Sequence, residues 1–459
     1  MVADYRGRSV LVAGAARSGI AAARFLLKCG ARVIISEARR REALEPHIAE
    51  LLESASHTPG ELVLELGGNR SESFAAVDLV VVSPGMPLSL PFFAISREAG
   101  IPVIAEIELA WRHLKGMIIG ITGSNGKTTT TALATELLAG AGLKAQAAGN
   151  IGTPLIEFVE QSVSEDIYVV ELSSFQLESI GEFRPFAATI LNLTPDHMDR
   201  YLGFEDYIAA KGRIFMNQQG EDVAVLNADD PRTAAMANGI SARTLFFSRT
   251  REVLSGAFIR HGKVFFRDGQ KERELFPVEA MQLKGNHNLE NVLAASLLAL
   301  TAGAPPESLE EGIRKFRGVE HRIEYVAEID GVMYYNDSKA TNVDAAIKSL
   351  EAFPGNIHLI AGGRDKEGDF TALRPLVRER VKQLLLIGEA ANKFRKALSG
   401  ATEIHDMASL PEAVAHGYAA AEPGDVVLLA PACASFDMFD DYEHRGRVFK
   451  ETVRTLAGK

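Results

Sequence analysis

Residues 117–138 read MIIGITGSNGKTTTTALATELL and combine an apolar run, a glycine-rich turn and a segment of helix formers. The common phosphate-binding loop is G-x-x-x-x-G-K-[ST]. Counting back from Gly126-Lys127-Thr128, that pattern requires a glycine at position 121, where this chain has Ile121. The stretch therefore predicts a strand, a turn and a helix whose spacing differs by one residue from the common loop.

The turn has the chemistry of a phosphate site despite its spacing. Backbone N–H groups of a glycine turn and the positive end of the helix dipole attract phosphate oxygens. Lys127 is expected to meet β- and γ-phosphates, and Thr128 or Thr129 to bind Mg²⁺. An ordinary strand–helix turn is the alternative, but the intact order Gly-Lys-Thr directly after a strand disfavours it.

Composition limits the class of protein. The 459 residues are 47% hydrophobic and 24% charged, which indicates a globular chain of about three domains. A net charge of -11 argues against nucleic-acid and membrane-surface partners, which reward basic surfaces. Two cysteines in unrelated contexts predict neither a disulfide framework nor a zinc site. No apolar run approaches the ~20 residues that cross a bilayer, so we expect a cytoplasmic protein, which we take to be a monomer.

Short apolar runs bounded by Gly and Pro alternate with helical spacing along the whole chain. This rhythm predicts an α/β fold with parallel sheets covered by helices. Ligands of such sheets collect at the carboxyl ends of the strands. We place domain boundaries before the strand that feeds the loop and after the helical NHNLENVLAASLLALTAG, which gives domains 1–107, 108–318 and 319–459.

A second glycine turn follows the first predicted strand. Residues 14–19 read GAARSG and approximate the dinucleotide fingerprint, but Ala16 replaces the glycine that lets a pyrophosphate approach the backbone. Glu37, after the second strand, is placed to bind a ribose hydroxyl. A simple tight turn, an NAD site and a site for another phosphorylated nucleotide such as UDP all remain open here.

Polar residues also follow later strands. Glu171 ends the apolar run of YVVELSSFQLES, and LNLTPDHMDR brings Asp196, His197 and Asp199 after the next strand. Glu171 alone is as compatible with solvation as with function, and His197 alone is better explained as an ordinary histidine. Together with Lys127, at successive strand ends, they favour a metal and phosphate site. FEDYIAAKGRIF puts Lys211 on a helix, where propensity alone predicts a surface lysine.

Ten motifs in order resemble the signature of the Mur ligase family, the ATP-dependent amide-forming enzymes of peptidoglycan precursor synthesis. They are GITGSNGKTTT, GNIGTPL, ELSSFQLE, NLTPDHMDRY, AAKGRIF, GNHNLENVLAA, EHRIE, NDSKATN, AGGRDKEGD and PACASFDMFDDYEHRG. The family loop T-G-[ST]-N-G-K-[ST]-T matches residues 122–129, so the unusual spacing is the family's own variant. ELSSFQL, DSKATN and PACASFD resemble the branch that adds D-glutamate to UDP-N-acetylmuramoyl-L-alanine.

The resemblance, which covers essentially the whole chain, implies a fold and a reaction. The first domain is expected to be Rossmann-like and to bind UDP, the middle one to be a P-loop-type ATPase domain with a mainly parallel sheet, and the last to be a Rossmann-like lid that brings the amino acid. The muramoyl-L-alanine carboxylate attacks the γ-phosphate of ATP, and the amine of D-glutamate then attacks the acyl phosphate.

Matching motifs carry the family's nucleotide contacts to this chain. Expected UDP-substrate contacts are Ala15, Ala16, Arg17, Glu37, Arg39, Gly85, Asn150 and Ser173. The Ala-Ala-Arg turn, and Glu37 where Asp is expected, depart from the family pattern. Expected ATP contacts are Gly123, Ser124, Asn125, Gly126, Lys127, Thr128, Thr129, Asn288, Asn291, Arg322, Asp337 and Lys339, the last three coming from the lid.

The resemblance also implies metal and amino-acid ligands. Two Mg²⁺ ions are expected on Thr128, Glu171, His197 and Lys211, with Lys211 carbamylated because an ammonium has no acceptor for a cation. Lys127, His197 and Lys211 are then the catalytic residues. D-Glutamate is expected to contact Thr341, Lys366, Ser435, Phe436 and Tyr442.

Three alternatives remain beside this interpretation. A sister Mur ligase or a folylpolyglutamate synthetase-like ligase would use another amino acid. A nucleotide-dependent switch would use the loop for regulation, although the set Glu171, His197 and Lys211 argues against it. An NAD-dependent dehydrogenase would need a working fingerprint at Gly14, which Ala16 weakens.

Overall fold

A computed structural model describes residues 4–150, 152–196, 198, 200–283, 285–365 and 368–458, without the side chains of residues 45–47 and 344. The chain forms two compact units, Met1–Phe316 and Arg317–Lys459. The first unit contains two sheets and the second contains one. In the described part of the chain, no helix is both long enough and apolar enough to span a membrane.

The first sheet is parallel throughout, with strand order β3-β2-β1-β4-β5. Because the order reverses between β1 and β4, the loops after these strands border the crevice where such sheets bind ligands. The elements are β1 Ser9–Ala13, α1 Arg17–Lys28, β2 Arg32–Glu37, α2 Glu45–Ala55, β3 Glu61–Leu66, α3 Ser71–Ala75, β4 Leu79–Val82, α4 Pro91–Glu98, β5 Val103–Ala105 and α5 Glu106–Trp111.

The second sheet has the order β14-β13-β12-β11-β10-β9-β6-β8-β7. The segments of the first and second sheets share a buried apolar core. Its elements are β6 Met117–Thr122, α6 Lys127–Gly140, β7 Lys144–Gly149, β8 Asp166–Glu171, α7 Ser174–Glu178, β9 Ala187–Ile190, α8 Phe204–Gly212, β10 Val223–Asn227, α9 Pro231–Ala235, β11 Arg243–Ser248, β12 Gly256–Arg260, β13 Lys263–Asp268, β14 Lys271–Pro277, α10 Asn286–Thr301 and α11 Leu309–Lys315.

The second unit holds a sheet of order β15-β16-β20-β17-β18-β19. Helices pack over buried apolar clusters on its strands. Its elements are β15 Glu324–Ile329, β16 Val332–Asn336, α12 Val343–Glu351, β17 Ile357–Gly362, α13 Arg374–Arg380, β18 Val381–Ile387, α14 Ala391–Leu398, β19 Glu403–Asp406, α15 Leu410–Ala420, β20 Val426–Leu429 and α16 Tyr442–Ala457.

The prediction of an α/β fold with mainly parallel sheets is confirmed. The antiparallel parts are β12 to β14 at one sheet edge and the pair β15 and β16 at another. These hairpins do not belong to the strand–helix rhythm that the sequence displays, because their turns, such as His261-Gly262, are only two residues long. The domain boundaries after residues 107 and 318 stay predictions.

Two glutamates of α5 join the first sheet to the second within the first unit. Glu106 accepts a hydrogen bond from the Ile156 amide at 2.7 Å, and Glu108 accepts from the amides of Gly181 and Phe183 at 2.9 and 2.8 Å. Both side chains are buried. Because a buried carboxylate is costly unless hydrogen-bonded, these contacts fix α5 against the loops of the second sheet.

Candidate active site

The loop after β6 owes its spacing to two glycines. Gly123 and Gly126 have φ angles of +149° and +86°, a region that residues with a side chain rarely adopt. A Cβ on Gly126 would also lie 2.2 Å from Oδ1 of Asn291 on α10. Helix α6 begins at Lys127 directly after this turn. The backbone therefore makes the strand–turn–helix unit that the sequence predicts, with its glycines where the geometry requires them.

The segment after β9 anchors this loop. The Ser124 amide donates to the Asn192 carbonyl at 3.0 Å, and the Asn125 amide donates to Oδ1 of Asn192 at 2.8 Å. The Ser124 hydroxyl donates to the Thr194 carbonyl at 2.8 Å. Sequence reasoning assigned no role to Asn192 or Thr194. The only available signal was their place just before Asp196 in the same strand-end motif.

Lys127 folds back over the loop that precedes it. Its Nζ atom donates to the carbonyl oxygens of Gly123 and Ser124 at 2.8 and 2.9 Å. The side chain is half-buried at the start of α6. This places a cation beside the amino terminus of a helix, the arrangement expected of a phosphate site.

Lys211 on α8 is buried, with 2% of its surface exposed. Its Nζ atom lies 3.0 Å from the Gly123 carbonyl oxygen and 4.6 Å from the centre of the Tyr207 ring. Burial and the charge of Lys127 hold the pKa of Lys211 well below its usual value, against smaller opposing effects of two acids. The surface position that propensity alone predicts is wrong, because α8 packs this face against the loop.

Tyr207 is a further residue that sequence reasoning missed. It precedes Lys211 by one helical turn, so both side chains project from the same face of α8. Its hydroxyl lies 3.0 Å from that of Ser124, and the ring is buried. The four-residue spacing was the available signal, but it does not reveal that this face is covered.

Glu171 lies at the end of β8, as predicted, and is 1% exposed. Its Oε1 atom accepts a hydrogen bond from Nδ2 of Asn150 at 3.0 Å. Its Oε2 atom is buried and has no hydrogen-bond partner among the described residues. A buried carboxylate oxygen without a donor suits a hard cation, which prefers oxygen ligands. Asn150, expected at the UDP substrate, is thus in contact with the expected metal ligand.

Glu37 is bound to the first glycine turn. Its carboxylate accepts from the Ala15 amide at 2.9 Å and from the Arg39 guanidinium at 3.0 Å. Burial would raise the pKa of Glu37, but the hydrogen bonds from Arg39 and from the backbone lower it to about 2. The carboxylate is therefore ionised and fixes the turn that carries Ala15 and Ala16.

Two further expected UDP contacts, Arg17 and Gly85, lie where loops of the first and second sheets meet. Arg17 donates to the Gly152 carbonyl. The guanidinium of Arg200, which sequence reasoning left without a role, donates to the Gly85 and Met86 carbonyls at 3.3 and 2.8 Å. It also lies 3.9 Å from the centre of the Phe175 ring. Arg200 therefore ties the segment after β9 to the loop after β4.

Ser173 and the α10 asparagines have structural partners. Ser173 caps α7 in a reciprocal arrangement with Gln176. Asn291 donates to Oδ1 of Asn288 at 3.2 Å, beside Gly126. Thr128, the second residue of α6, is buried. The first unit thus brings the phosphate loop, Glu171, Lys211, Asn150 and the two asparagines into one region.

The second unit gathers several expected residues at the carboxyl ends of β16 and β20. Asp337 is buried, accepts from the Ser349 hydroxyl at 2.5 Å, and has its pKa raised by burial. Nζ of Lys339 lies 5.7 Å from the centre of the Tyr442 ring. Ser435 is buried and Phe436 is 61% exposed.

Arg322 and Thr341 also belong to the second unit. His197 and Lys366 lie outside the described residues. The roles given to all these residues stay predictions.

Family models cover most of the chain. The description "Mur ligase MurD-like, N-terminal domain" matches residues 8–105, "Mur ligase middle domain" matches 121–299, and "Mur ligase, glutamate ligase domain" matches 321–433. The first two matches fall in the first compact unit, and the third falls in the second unit.

Known proteins resemble the chain along its full length. UDP-N-acetylmuramoylalanine–D-glutamate ligases of Koribacter versatilis and Acidobacterium capsulatum are 48% and 49% identical to it, over 99% of this chain and 99% and 98% of theirs. Two solved structures share the fold at TM-score 0.57, a pseudomurein peptide ligase type C from Methanothermus fervidus and a UDP-N-acetylmuramate-alanine ligase from Thermotoga maritima. They are 18% and 17% identical and cover 98% of this chain and 100% of theirs.

These matches agree with the geometry of the site. A glycine loop at the start of a helix, a buried carboxylate at the next strand end and a buried lysine lie together in the part matched by the middle-domain model. Since relatives almost half identical span nearly the entire sequence, the chain belongs to the Mur ligase family.

Proposed function

We propose that this chain joins D-glutamate to the carboxylate of UDP-N-acetylmuramoyl-L-alanine in an ATP-dependent amide ligation. The names of the full-length relatives support the two substrates. The observation that carries the chemistry is the placement of Lys127, Lys211 and Glu171 around the loop at Gly123. The reaction belongs to precursor synthesis, for which we keep the expectation of a cytoplasmic monomer.

The difficulty of the first step is electrostatic, because a carboxylate must approach a triphosphate. Lys127 and the amides at the start of α6 would hold the β- and γ-phosphates, so that positive charge faces the transferred group. Oxygen of the substrate carboxylate then bonds to the γ-phosphorus, and the bond to the ADP oxygen breaks. The neutral amine of D-glutamate would then attack the carbonyl carbon of the acyl phosphate. The amide C–N bond forms, the bond from carbon to the phosphate oxygen breaks, inorganic phosphate leaves, and the nitrogen loses a proton.

Mur ligases use ATP with Mg²⁺. Glu171 fits such an ion because its buried Oε2 atom lacks a donor among the residues described. Thr128 on α6 would be the second protein ligand of this ion, and His197 would serve another. Bound Mg²⁺ neutralises phosphate charge and orients the reacting oxygens.

Lys211 has the environment that a carbamylated lysine requires. Carbamylation joins the amine nitrogen to the carbon of CO₂ and releases one proton, so the amine must first be neutral. Burial and the charge of Lys127 lower the pKa of the Lys211 amine, which favours its neutral form. The new carboxylate would offer oxygen ligands that the amine lacks. We infer that this group and His197 hold the second Mg²⁺ ion.

The substrate-binding roles follow the expected positions. The turn at Ala15, Ala16 and Arg17, with Glu37, Arg39, Gly85, Asn150 and Ser173, is proposed to hold the UDP-sugar. Asn288, Asn291, Arg322, Asp337 and Lys339 are proposed to complete the ATP site. Thr341, Lys366, Ser435, Phe436 and Tyr442 are proposed to receive D-glutamate, whose two carboxylates require cationic and hydroxyl donors.

The test is ATP-dependent phosphate release by the purified chain with UDP-N-acetylmuramoyl-L-alanine and a panel of amino acids. We expect turnover with D-glutamate and none with L-glutamate, L-alanine or meso-diaminopimelate. Preference for another amino acid would show a sister ligase instead. Hydrolysis of ATP without any acceptor, unchanged by substitution of Lys211, would indicate a nucleotide switch.

A further inference from the structure

Arg445 on α16 is the largest fully buried side chain in the described structure, with 1% of its surface exposed. Its Nε atom donates to the Ser338 hydroxyl at 2.9 Å, and Nη2 donates to the Ser338 carbonyl at 2.8 Å. Nη1 and Nη2 both donate to the Cys433 carbonyl at 3.2 Å, and Nη1 reaches the Ala434 carbonyl at 3.4 Å. All these acceptors are neutral.

The acceptors belong to two loops that leave neighbouring strands. Ser338 follows β16, and Cys433 and Ala434 follow β20, which pairs with β16 in parallel. A third loop approaches the same group, since a Cβ on Gly363 after β17 would lie 3.3 Å from Nη1. The guanidinium therefore lies where three strand-end loops of the sheet meet.

These loops carry most of the residues proposed for D-glutamate. Ser338 directly precedes Lys339 and lies three residues before Thr341, and Ala434 directly precedes Ser435. The backbone carbonyls that Arg445 holds are thus adjacent to side chains proposed to contact ligands. A change in the distance between the loops would move Thr341 and Ser435 relative to each other.

Among the described residues, no acid contacts this guanidinium, although Asp437 acts on it electrostatically without a hydrogen bond. Burial lowers the pKa of Arg445 to about 10, so the side chain stays charged at neutral pH. Burying a charge is unfavourable unless something compensates it. An anionic ligand at these loops would provide such compensation.

We propose that Arg445 is a positioning residue for the amino-acid substrate. It holds the loops after β16 and β20 in register and favours a dicarboxylate through its buried charge, which no described carboxylate contacts. This inference rests on the proposed function, because it concerns the D-glutamate subsite of that reaction. Arg445 acts through Ser338, Cys433 and Ala434 and needs no contact with the substrate itself.

The experiment compares Arg445→Lys and Arg445→Gln with Arg447→Gln in the full chain. Arg447 lies on the same helix and its side chain is 51% exposed, so it is a matched control. KM and kcat are measured for each substrate separately, together with the melting temperature. The KM for D-glutamine is measured as well, because this analogue lacks one of the two carboxylates.

We expect Arg445→Gln to raise the KM for D-glutamate by about 10- to 100-fold, the range that corresponds to loss of charge-assisted hydrogen bonds. The KM values for ATP and for the UDP-sugar should change less than about 3-fold. Such a change corresponds to less free energy than the loss of one charge-assisted hydrogen bond. The preference for D-glutamate over D-glutamine should fall in Arg445→Gln. Arg445→Lys, which keeps the charge but not the fork of donors, should retain more of that preference.

Three results would overturn the inference. An unchanged KM for D-glutamate in Arg445→Gln would exclude the positioning role. An equal rise of the KM values for D-glutamate, ATP and the UDP-sugar would show that Arg445 only supports the fold. Loss of folding in both Arg445→Gln and Arg445→Lys would show the same. Failure of the proposed function is distinguishable, since the unsubstituted chain would then not turn over D-glutamate.

Discussion

Lys127 and Lys211 donate to the same acceptor, with their Nζ atoms 2.8 and 3.0 Å from the carbonyl oxygen of Gly123. Burial lowers the pKa of Lys211, and repulsion from the neighbouring charge of Lys127 lowers it further. Lys127, the less buried of the two, lies at the start of α6, where we propose that it meets phosphate. One loop thus brings together Lys127 and the lysine that we propose to be carbamylated.

The first prediction tests the proposed carbamylation of Lys211. We expect Lys211→Ala to lose activity by a factor on the order of 10³, because a positioned charge for the transferred phosphate is gone. Formate or acetate should restore part of the activity if the missing group is a carboxylate. The assay is phosphate release with D-glutamate at increasing carboxylate concentration.

The control for this experiment is Lys315→Ala, at an exposed lysine near the end of the first unit. Its activity should equal that of the unsubstituted chain, with or without added carboxylate. Rescue of Lys211→Ala by methylammonium rather than by formate would contradict a carbamate, because it would show that an amine is the needed group.

The second prediction concerns stability and pH. The pKa of a lysine in the unfolded chain is about 10.4. When the pKa of that lysine is lower in the folded chain, folding becomes less favourable at every pH below about 10.4. This free-energy cost disappears when the pH rises above about 10.4. Lys211→Met removes the penalty and keeps an apolar stem of similar length. In CO₂-free buffer we expect a higher melting temperature than that of the unsubstituted chain at pH 7, and a smaller difference at pH 10.5. A pH-independent difference would show that packing, and not charge, separates the two proteins.

The third prediction addresses the unpartnered Oε2 atom of Glu171. Glu171→Gln keeps an oxygen that can accept from Asn150 but removes the negative charge that a cation needs. We expect the Mg²⁺ concentration for half-maximal activity to rise at least about 10-fold and kcat to fall by about 10²–10³. A Mg²⁺ titration of phosphate release measures both. The control is Glu165→Gln, at an exposed turn before the same strand. An unchanged Mg²⁺ requirement in Glu171→Gln would exclude Glu171 as a metal ligand.

The positions of Lys127 and Glu171 in the fold were predicted correctly from the sequence. Both positions depend on where a strand ends, and apolar runs bounded by turn residues reveal strand ends locally. The motif order also identified the family, which the full-length relatives confirm.

Other parts of the site depend on packing between distant segments. The burial of Lys211 requires α8 to cover the loop at Gly123, which lies 88 residues earlier. Arg200 contacts carbonyls 115 and 114 residues away, and Arg445 contacts Ser338 across 107 residues. Arginine and lysine side chains are mostly exposed in folded proteins, so no local pattern could separate these three from ordinary surface residues.

The fourth prediction returns to the loop whose spacing is unusual. Gly126→Ala puts a side chain at a φ of +86°, which disfavours the loop by about 1–2 kcal/mol, and places Cβ 2.2 Å from Oδ1 of Asn291. We expect the KM for ATP to rise by a factor on the order of 10², since the amides that we propose to bind phosphate must shift.

Gly140→Ala supplies the matched control at the other end of the same helix. Its Cβ would meet no atom within 4 Å, so this substitution should leave the KM for ATP unchanged and stabilise the chain by up to about 1 kcal/mol. Full ATP affinity in Gly126→Ala itself would mean that the loop tolerates a side chain and that its glycine spacing has another cause.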